Sequence, residues 1–248
     1  GGFPLTNLFR ANSTTYTAVF TVTEDGNDYH EAENIPVSNL RLYNDKIPGI
    51  VYNQPIIQSN DLLDANTPDI LQISAITTGK RRIDQTVVLL LTADEPQYIF
   101  DSTSTINNVL FSASNVDVTD LGTGIYRITY TVAEGDQNIS TGNLAIRVIL
   151  RDRAGNTTSP YTVIYANDIS IDASRPAISR AYISSADENA NVGDTVEITI
   201  VADQSGYTAS FTTWVNGNVY ITEPNLEFYD LGNKSYRLEY IVEAGDGS

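Results

Sequence analysis

Tyr126-Arg127-Ile128-Thr129-Tyr130-Thr131-Val132 recurs as Tyr236-Arg237-Leu238-Glu239-Tyr240-Ile241-Val242, 110 residues further on. A weaker copy, Tyr16-Thr17-Ala18-Val19-Phe20-Thr21-Val22, stands 110 residues upstream. Asp120-Leu121-Gly122 and Asp230-Leu231-Gly232 precede the second and third copies at one spacing. An acidic turn follows each copy: Glu24-Asp25-Gly26, Glu134-Gly135-Asp136 and Glu243-Ala244-Gly245-Asp246. Thr86-Val87 through Asp94 matches Thr195-Val196 through Asp203 at an offset of 109, and Asp64-Ala65-Asn66-Thr67-Pro68 matches Asp172-Ala173-Ser174-Arg175-Pro176 at 108. Such drift is what loop insertions leave behind. The repeating unit is about 110 residues, the size of a small independent domain.

The two Asp-x-x-x-Pro segments read as junctions. They set off one complete unit, residues 70–176, flanked by the later part of a unit in residues 1–69 and the earlier part of another in residues 177–248. The expected organisation is a slice of a longer tandem array, and the Gly1-Gly2 opening without Met fits a processed or excised piece. The partial units raise a second expectation, in which neighbouring chains complete each other's open sheets by strand addition.

Within the unit the hydrophobic period is two. Tyr126, Ile128, Tyr130 and Val132 alternate with Arg127, Thr129 and Thr131; Leu144, Ile146, Val148 and Leu150 alternate with Ala145, Arg147 and Ile149; Val196, Ile198 and Ile200 alternate with Glu197 and Thr199. Alternation sends one set of side chains inward and the other outward, and Val, Ile, Thr and Tyr suit a pleated, half-buried surface. Turn signals separate the runs: Gly122-Thr123-Gly124, Ala154-Gly155-Asn156 and Asn216-Gly217-Asn218. No stretch carries a sustained helical period. Short, evenly spaced strands at this unit size predict an all-β fold of tandem antiparallel immunoglobulin-like β-sandwiches. The chain has no cysteine, so Trp214 and the Tyr and Phe residues are expected to supply the core in place of a disulfide.

Composition narrows function. With 14 Lys and Arg against 31 Asp and Glu, the net charge is −17, which argues against nucleic acid and against an anionic membrane surface. The run Val87-Val88-Leu89-Leu90-Leu91 is far shorter than the ~20 residues of a membrane span. Without cysteine there are no zinc thiolate sites and no thiol nucleophile.

The unit resembles the tandem immunoglobulin-like repeats of large prokaryotic cell-surface proteins, of the adhesin-stalk, biofilm and surface-layer kinds. Asp120 through Val132 resembles their LG-x-G-x-Y strand, Asp152-Arg153-Ala154-Gly155-Asn156 their D-x-AGN loop, and Asp172-Ala173-Ser174-Arg175-Pro176 their interdomain linker. The first unit departs from the pattern, with Asn44-Asp45-Lys46-Ile47-Pro48-Gly49 in the loop position. The resemblance implies Ca²⁺ at the junctions, held by Asp64 and Asp172 on the linkers, Asp152 on the loop, and Asp94 and Asp203 at the ends of the early strands, with Asp187 and Glu188 in reach. A hard cation wants several such oxygen ligands. The alternative for each is an ordinary turn Asp making Asx hydrogen bonds.

Other chemistry is sparse. His30, the one histidine, stands between Tyr29 and Glu31 without counterparts in the other copies and reads as a surface loop residue, so no Ser or Thr nucleophile has an evident base. The chain is expected to have no enzymatic activity. Lys46, Lys80 and Lys234 lie in turn-like stretches, which disfavours Lys–Asn isopeptide bonds. Asn12, Asn138, Asn156 and Asn233 satisfy the glycosylation sequon.

The function expected is that of a rigid extracellular stalk or spacer in a surface adhesin, its partners being neighbouring repeats. Two rivals stay open. One is a self-assembling surface-layer or filament subunit that pairs with identical chains; the other is a carbohydrate-binding module facing surface glycans.

Overall fold

The alternating runs become strands, and no described residue is helical. The computed structural model describes residues 4–57, 62–184, 189–209, 214–215, 219–220 and 226–245. The chain divides into two units, residues 1–174 and 175–248.

The first unit opens with two small hairpins: β1 (Thr6–Arg10) pairs with β2 (Tyr16–Val19), and β3 (Tyr43–Asn44) with β4 (Ile47–Pro48). The central sandwich follows. Its early strands are β5 (Ile70–Ala75), β6 (Lys80–Arg82), β7 (Thr86–Ala93), β8 (Ile99–Phe100), β9 (Thr105–Ile106) and β10 (Val109–Leu110). Its later strands are β11 (Val116–Asp120), β12 (Ile125–Thr131), β13 (Ile146–Arg147), β14 (Leu150–Arg151) and β15 (Ser170–Asp172). One antiparallel sheet runs β11-β12-β7-β5, which is the D-E-B-A order of an immunoglobulin sandwich. The opposite layer is built from β10-β9-β13, the β14-β8 pair and the segment around Tyr161, which bridges Val148. β6 crosses over to run parallel with β15.

The core lies between these layers. On β7, Val87, Leu89 and Leu91 are 0% exposed; on β12, Tyr126, Ile128 and Tyr130 are buried while Arg127 faces solvent. Ile106, Ile146, Val148 and Leu150 close the same cluster from the other side. Aliphatic side chains together with the buried Tyr126 and Tyr130, and with Phe100 and Phe111 packed against them, thus hold the two layers of a chain that has no cysteine. Leu144 to Leu150 alternates in burial as a single strand would, yet its pairing passes between partners: Ile146 with Ile106, Val148 with Tyr161, Leu150 with Phe100. Period two reports which face is buried and is blind to a change of neighbour.

The second unit repeats the first sheet. Its strands are β16 (Ile178–Ile183), β17 (Thr195–Ala202), β18 (Trp214–Val215), β19 (Val219–Tyr220), β20 (Leu226–Gly232) and β21 (Ser235–Ile241), with a sheet order of β16-β17-β21-β20. Register is preserved as well: Leu238 stands opposite Ile198 as Ile128 stands opposite Leu89. The first segment keeps the bridges of the later strands, Tyr29 with Leu63 and Leu40 with Tyr52, matching Ile139 with Ile171 and Val148 with Tyr161. The fold is therefore a tandem of immunoglobulin-like units. The Trp214 side chain and the Asn216-Gly217-Asn218 turn lie outside the described residues. Lys80 is in strand β6, not in a turn, because its neighbours pair with a segment 90 residues away that its own sequence does not announce.

Candidate functional site

The Asp-x-x-x-Pro segment at 64–68 is where the structure gathers polar side chains. It belongs to no strand, so its backbone groups need partners from elsewhere. Asp28 supplies two of them: its Oδ1 accepts the Ala65 N–H at 2.7 Å and its Oδ2 accepts from Asn66 Nδ2 at 2.7 Å. Glu24, in the acidic turn, accepts both the N–H and the hydroxyl of Thr67 at 3.0 Å.

From the other side comes the Asp152–Asn156 loop. Asp152 is 8% exposed. Its Oδ1 accepts the N–H groups of Gly155 (2.7 Å) and Asn156 (2.9 Å), and its own N–H donates to the Asn156 carbonyl at 3.1 Å. The loop so closed presents one amide. Asn156 Nδ2 donates to Asp152 Oδ2 (2.9 Å) and to the carbonyl oxygens of Asp64 and Asn66 (both 3.2 Å). Three oxygens converge on a single nitrogen.

A few residues on, Asp94 at the end of β7 completes the junction. The Asp69 N–H donates to Asp94 Oδ1 at 3.0 Å, the Asp94 N–H returns to the Asp69 carbonyl at 3.1 Å, and the Tyr98 hydroxyl also donates to Asp94 Oδ1. Burial and the Asp94 carboxylate hold the Tyr98 hydroxyl well above its usual range.

The same clamps recur one repeat on. Asn138 Oδ1 accepts the Ala173 N–H at 2.6 Å and Asn138 Nδ2 donates to Ser174 Oγ, as Asp28 engages Ala65 and Asn66. In the second unit the Ala177 N–H donates to Asp203 Oδ1 at 2.9 Å, and the Asp203 N–H returns to the Ala177 carbonyl at 2.9 Å. That donated N–H pulls the Asp203 carboxyl below its usual range. Tyrosine contacts repeat too: the Tyr126 hydroxyl accepts the Tyr98 N–H (2.8 Å), and the Tyr236 hydroxyl accepts the Tyr207 N–H (2.9 Å). Tyr130 donates to Asp136 Oδ2 at 2.6 Å. Its counterpart Tyr240 would need Asp246, which lies outside the described residues.

Of the five expected calcium ligands, Asp64 and Asp152 come together, with Asp28 and Glu24 added. The Asp64 carboxyl is raised above its usual range by burial and by the carboxylates of Asp152, Asp28 and Glu24, against the pull of the Asn66 N–H. Asp94, just past the end of β7, is bonded to Asp69 and not to Asp64 or Asp152; Asp172, at the far junction, is ion-paired with Lys80 at 2.9 Å, whose hydrogen bond lowers its pKa. Asp203 belongs to the second unit, and Asp187 and Glu188 lie outside the described residues. A hard cation does not fit this arrangement as it stands. Both Asp152 oxygens and Asp94 Oδ1 already accept from N–H or O–H donors, and among the described residues no group of three or more His, Asp or Glu side chains is placed to hold a metal. The cleft beside the junction, about 640 Å³, combines Glu24, Asp64 and Asn156 with apolar side chains such as Phe20, Ile35 and Leu63.

The sequons divide by use. Asn12 and Asn233 are exposed in turns. The side-chain nitrogens of Asn138 and Asn156, where a glycan would attach, are already donors in the clamps. His30 is exposed. Sequence reasoning passed over Asp28 and placed Glu24 only in an acidic turn and Asn138 only in a sequon; the recurrence of Asp28 as Asn138 at the 110-residue offset was the signal available for the clamp.

Solved structures of titin domains are among those similar to this chain. The I9-I11 tandem from titin is 12% identical over 70% of this chain and 58% of that one, with a TM-score of 0.26. Domains A168-A170 from titin are 11% identical over 73% of this chain and 58% of that one, with a TM-score of 0.29. The chain thus spans 58% of the length of either. The immunoglobulin-like assignment rests on the strand order itself. No family model and no curated protein matches.

Proposed function

We propose that this chain is a non-enzymatic structural segment, a stiffened run of immunoglobulin-like units acting as stalk or spacer in an extracellular prokaryotic surface adhesin. One observation carries the reading: the junction side chains are spent on backbone. Asp28 and Asn138 clamp Ala65 and Ala173, and Asp94 and Asp203 clamp Asp69 and Ala177, at equivalent positions of the repeat. A linker whose N–H and C=O groups are held by its neighbours bends less than one solvated by water, which is what a spacer requires. The Asn156 amide adds contacts from the loop side at residues 64–66. Surface placement rests on the resemblance of the LG-x-G-x-Y and D-x-AGN segments. Calcium, which that resemblance implies, would have to displace the donors now on Asp152 and Asp94.

Small-angle scattering tests the proposal. The expected particle is elongated, and Asn156→Ala broadens its distance distribution. A compact particle, or one whose profile ignores the substitution, sinks the reading.

A further inference from the structure

Asn12 and Asn233, two of the four sequon asparagines, fall on one and the same turn of the repeat. Arg10 pairs with Tyr16 across that turn as Asp120 pairs with Tyr126 and Asp230 with Tyr236, so residues 11–15, 121–125 and 231–235 are copies of one another. The Ala11 N–H donates to the Thr15 carbonyl at 2.9 Å, as the Leu121 N–H donates to the Ile125 carbonyl at 2.8 Å. The central sandwich shows how open this turn is inside a complete unit. Leu121 is 46% exposed, Thr123 is exposed, and a Cβ on Gly122, the counterpart of Asn12, meets nothing within 4 Å. Access at this turn therefore follows from its place in the unit.

The amide chemistry separates the four sequons in the same way. A glycan joins at the side-chain nitrogen of the asparagine. Every hydrogen bond of the Asn12 side chain falls on Oδ1, which accepts the Thr14 N–H (3.0 Å), the Thr15 N–H (2.9 Å) and the Thr14 hydroxyl (3.3 Å). Its Nδ2 makes none among the described residues. The sequon threonine thus holds the oxygen of the amide and leaves the nitrogen to react. Asn233 is exposed at the tip of its turn, with φ +50°. Asn138 and Asn156 are the opposite case: their Nδ2 atoms donate to Ser174 Oγ at 2.8 Å and to the Asp64 and Asn66 carbonyls at 3.2 Å.

We propose that Asn12 and Asn233 are acceptors of N-linked glycan on the folded chain, and that Asn138 and Asn156 are not. The donor is an oligosaccharide carried on a lipid phosphate, brought by a transferase. The bond from the asparagine Nδ2 to the sugar C1 forms, the C1–O bond to the lipid phosphate breaks with its electron pair going to the phosphate, and one Nδ2 proton passes to a base of the transferase. In the second unit the glycan stands at the end that carries the backbone clamp: the Ala202 N–H donates to the carbonyl of Lys234, beside Asn233, and the next residue, Asp203, holds Ala177. The proposal goes beyond the spacer reading and does not depend on it.

The test incubates the folded 248-residue chain with a single-subunit oligosaccharyltransferase that reads the three-residue sequon, together with a lipid-linked oligosaccharide. Intact mass counts the glycans and peptide mapping places them. The mass is expected to rise by two glycans, one at Asn12 and one at Asn233. Thr14→Val and Ser235→Ala each remove one of the two and leave the other. Both substitutions lie in an open turn, and circular dichroism melting checks that the sandwiches are intact. A chain left bare at either turn overturns the proposal, as does one that carries glycan at Asn138 or Asn156 to the same extent. Either result leaves the spacer reading to its own test of particle length.

Discussion

The side-chain nitrogen of Asn156 lies 3.2 Å from the carbonyl oxygen of Asp64, 92 residues earlier in the chain. It fastens the segment at residues 64–66 to a loop of the central sandwich, and it does so with the chain's own amide. Asn156→Ala leaves three acceptors short of a donor in a partly buried setting, at a cost of about 1–2 kcal/mol. Asn156→Asp costs more, since it sets a carboxylate against Asp152. Thermal melts should show both losses, and proteolysis near residue 64 should speed up. Because the donor is an N–H and not a metal, chelator should leave the melting temperature of the unaltered chain in place; a drop on chelation would restore calcium to the junction.

Asp64 should make stability depend on acid in an unusual direction. Burial and neighbouring carboxylates raise its native pKa above the unfolded value. Between those two values the native state holds the proton more tightly, so this group's contribution to stability falls as pH rises through the window. Asp64→Asn keeps an acceptor for the Asn66 N–H and removes the charge. Its melting temperature should exceed that of the unaltered chain at neutral pH, with the advantage vanishing below about pH 4. An equal shift at all pH values would refute the electrostatic cause.

Tyr126→Phe and Tyr236→Phe remove the acceptors of the Tyr98 and Tyr207 N–H groups. Each should cost about 1–2 kcal/mol. The chain forms two units, so each variant should lower the transition of its own unit and spare the other. Calorimetry that resolves two transitions reads this directly.

Gly122 and Gly124 share one turn but should respond differently. Both have positive φ, +82° and +75°. A Cβ on Gly122 meets nothing within 4 Å, whereas on Gly124 it would stand 2.7 Å from the Ala93 carbonyl oxygen, to whose residue the Gly124 carbonyl is already bonded. Gly122→Ala should cost about 1 kcal/mol from backbone strain alone. Gly124→Ala adds a backbone clash that breaks the β7–β12 turn contact, and the loss should reach about 3 kcal/mol. Denaturant melts that ranked the two alike would contradict this.

The repeat, the strands and their buried faces could be read from residue order because each is a local property. Val87, Leu89 and Leu91 announce an inward face by spacing alone, and the 110-residue offset carries that face onto Val196, Ile198 and Ile200. Asp94 and Asp203 could likewise be placed at the ends of strands. What each carboxylate does was hidden, since an Asp in a turn looks the same whether it faces a cation, an ammonium or an N–H. Its partner is set by distance in space: Asp28 meets Ala65 across 37 residues, Lys80 meets Asp172 across the parallel β6–β15 pairing, and Asn156 reaches back to Asp64. Sequence alone therefore determined that this is a tandem of β-sandwich units and which side chains face inward. Tertiary structure decided that the polar residues of the junctions hold backbone, because only the folded chain brings donors and acceptors so far apart in sequence within hydrogen-bonding distance.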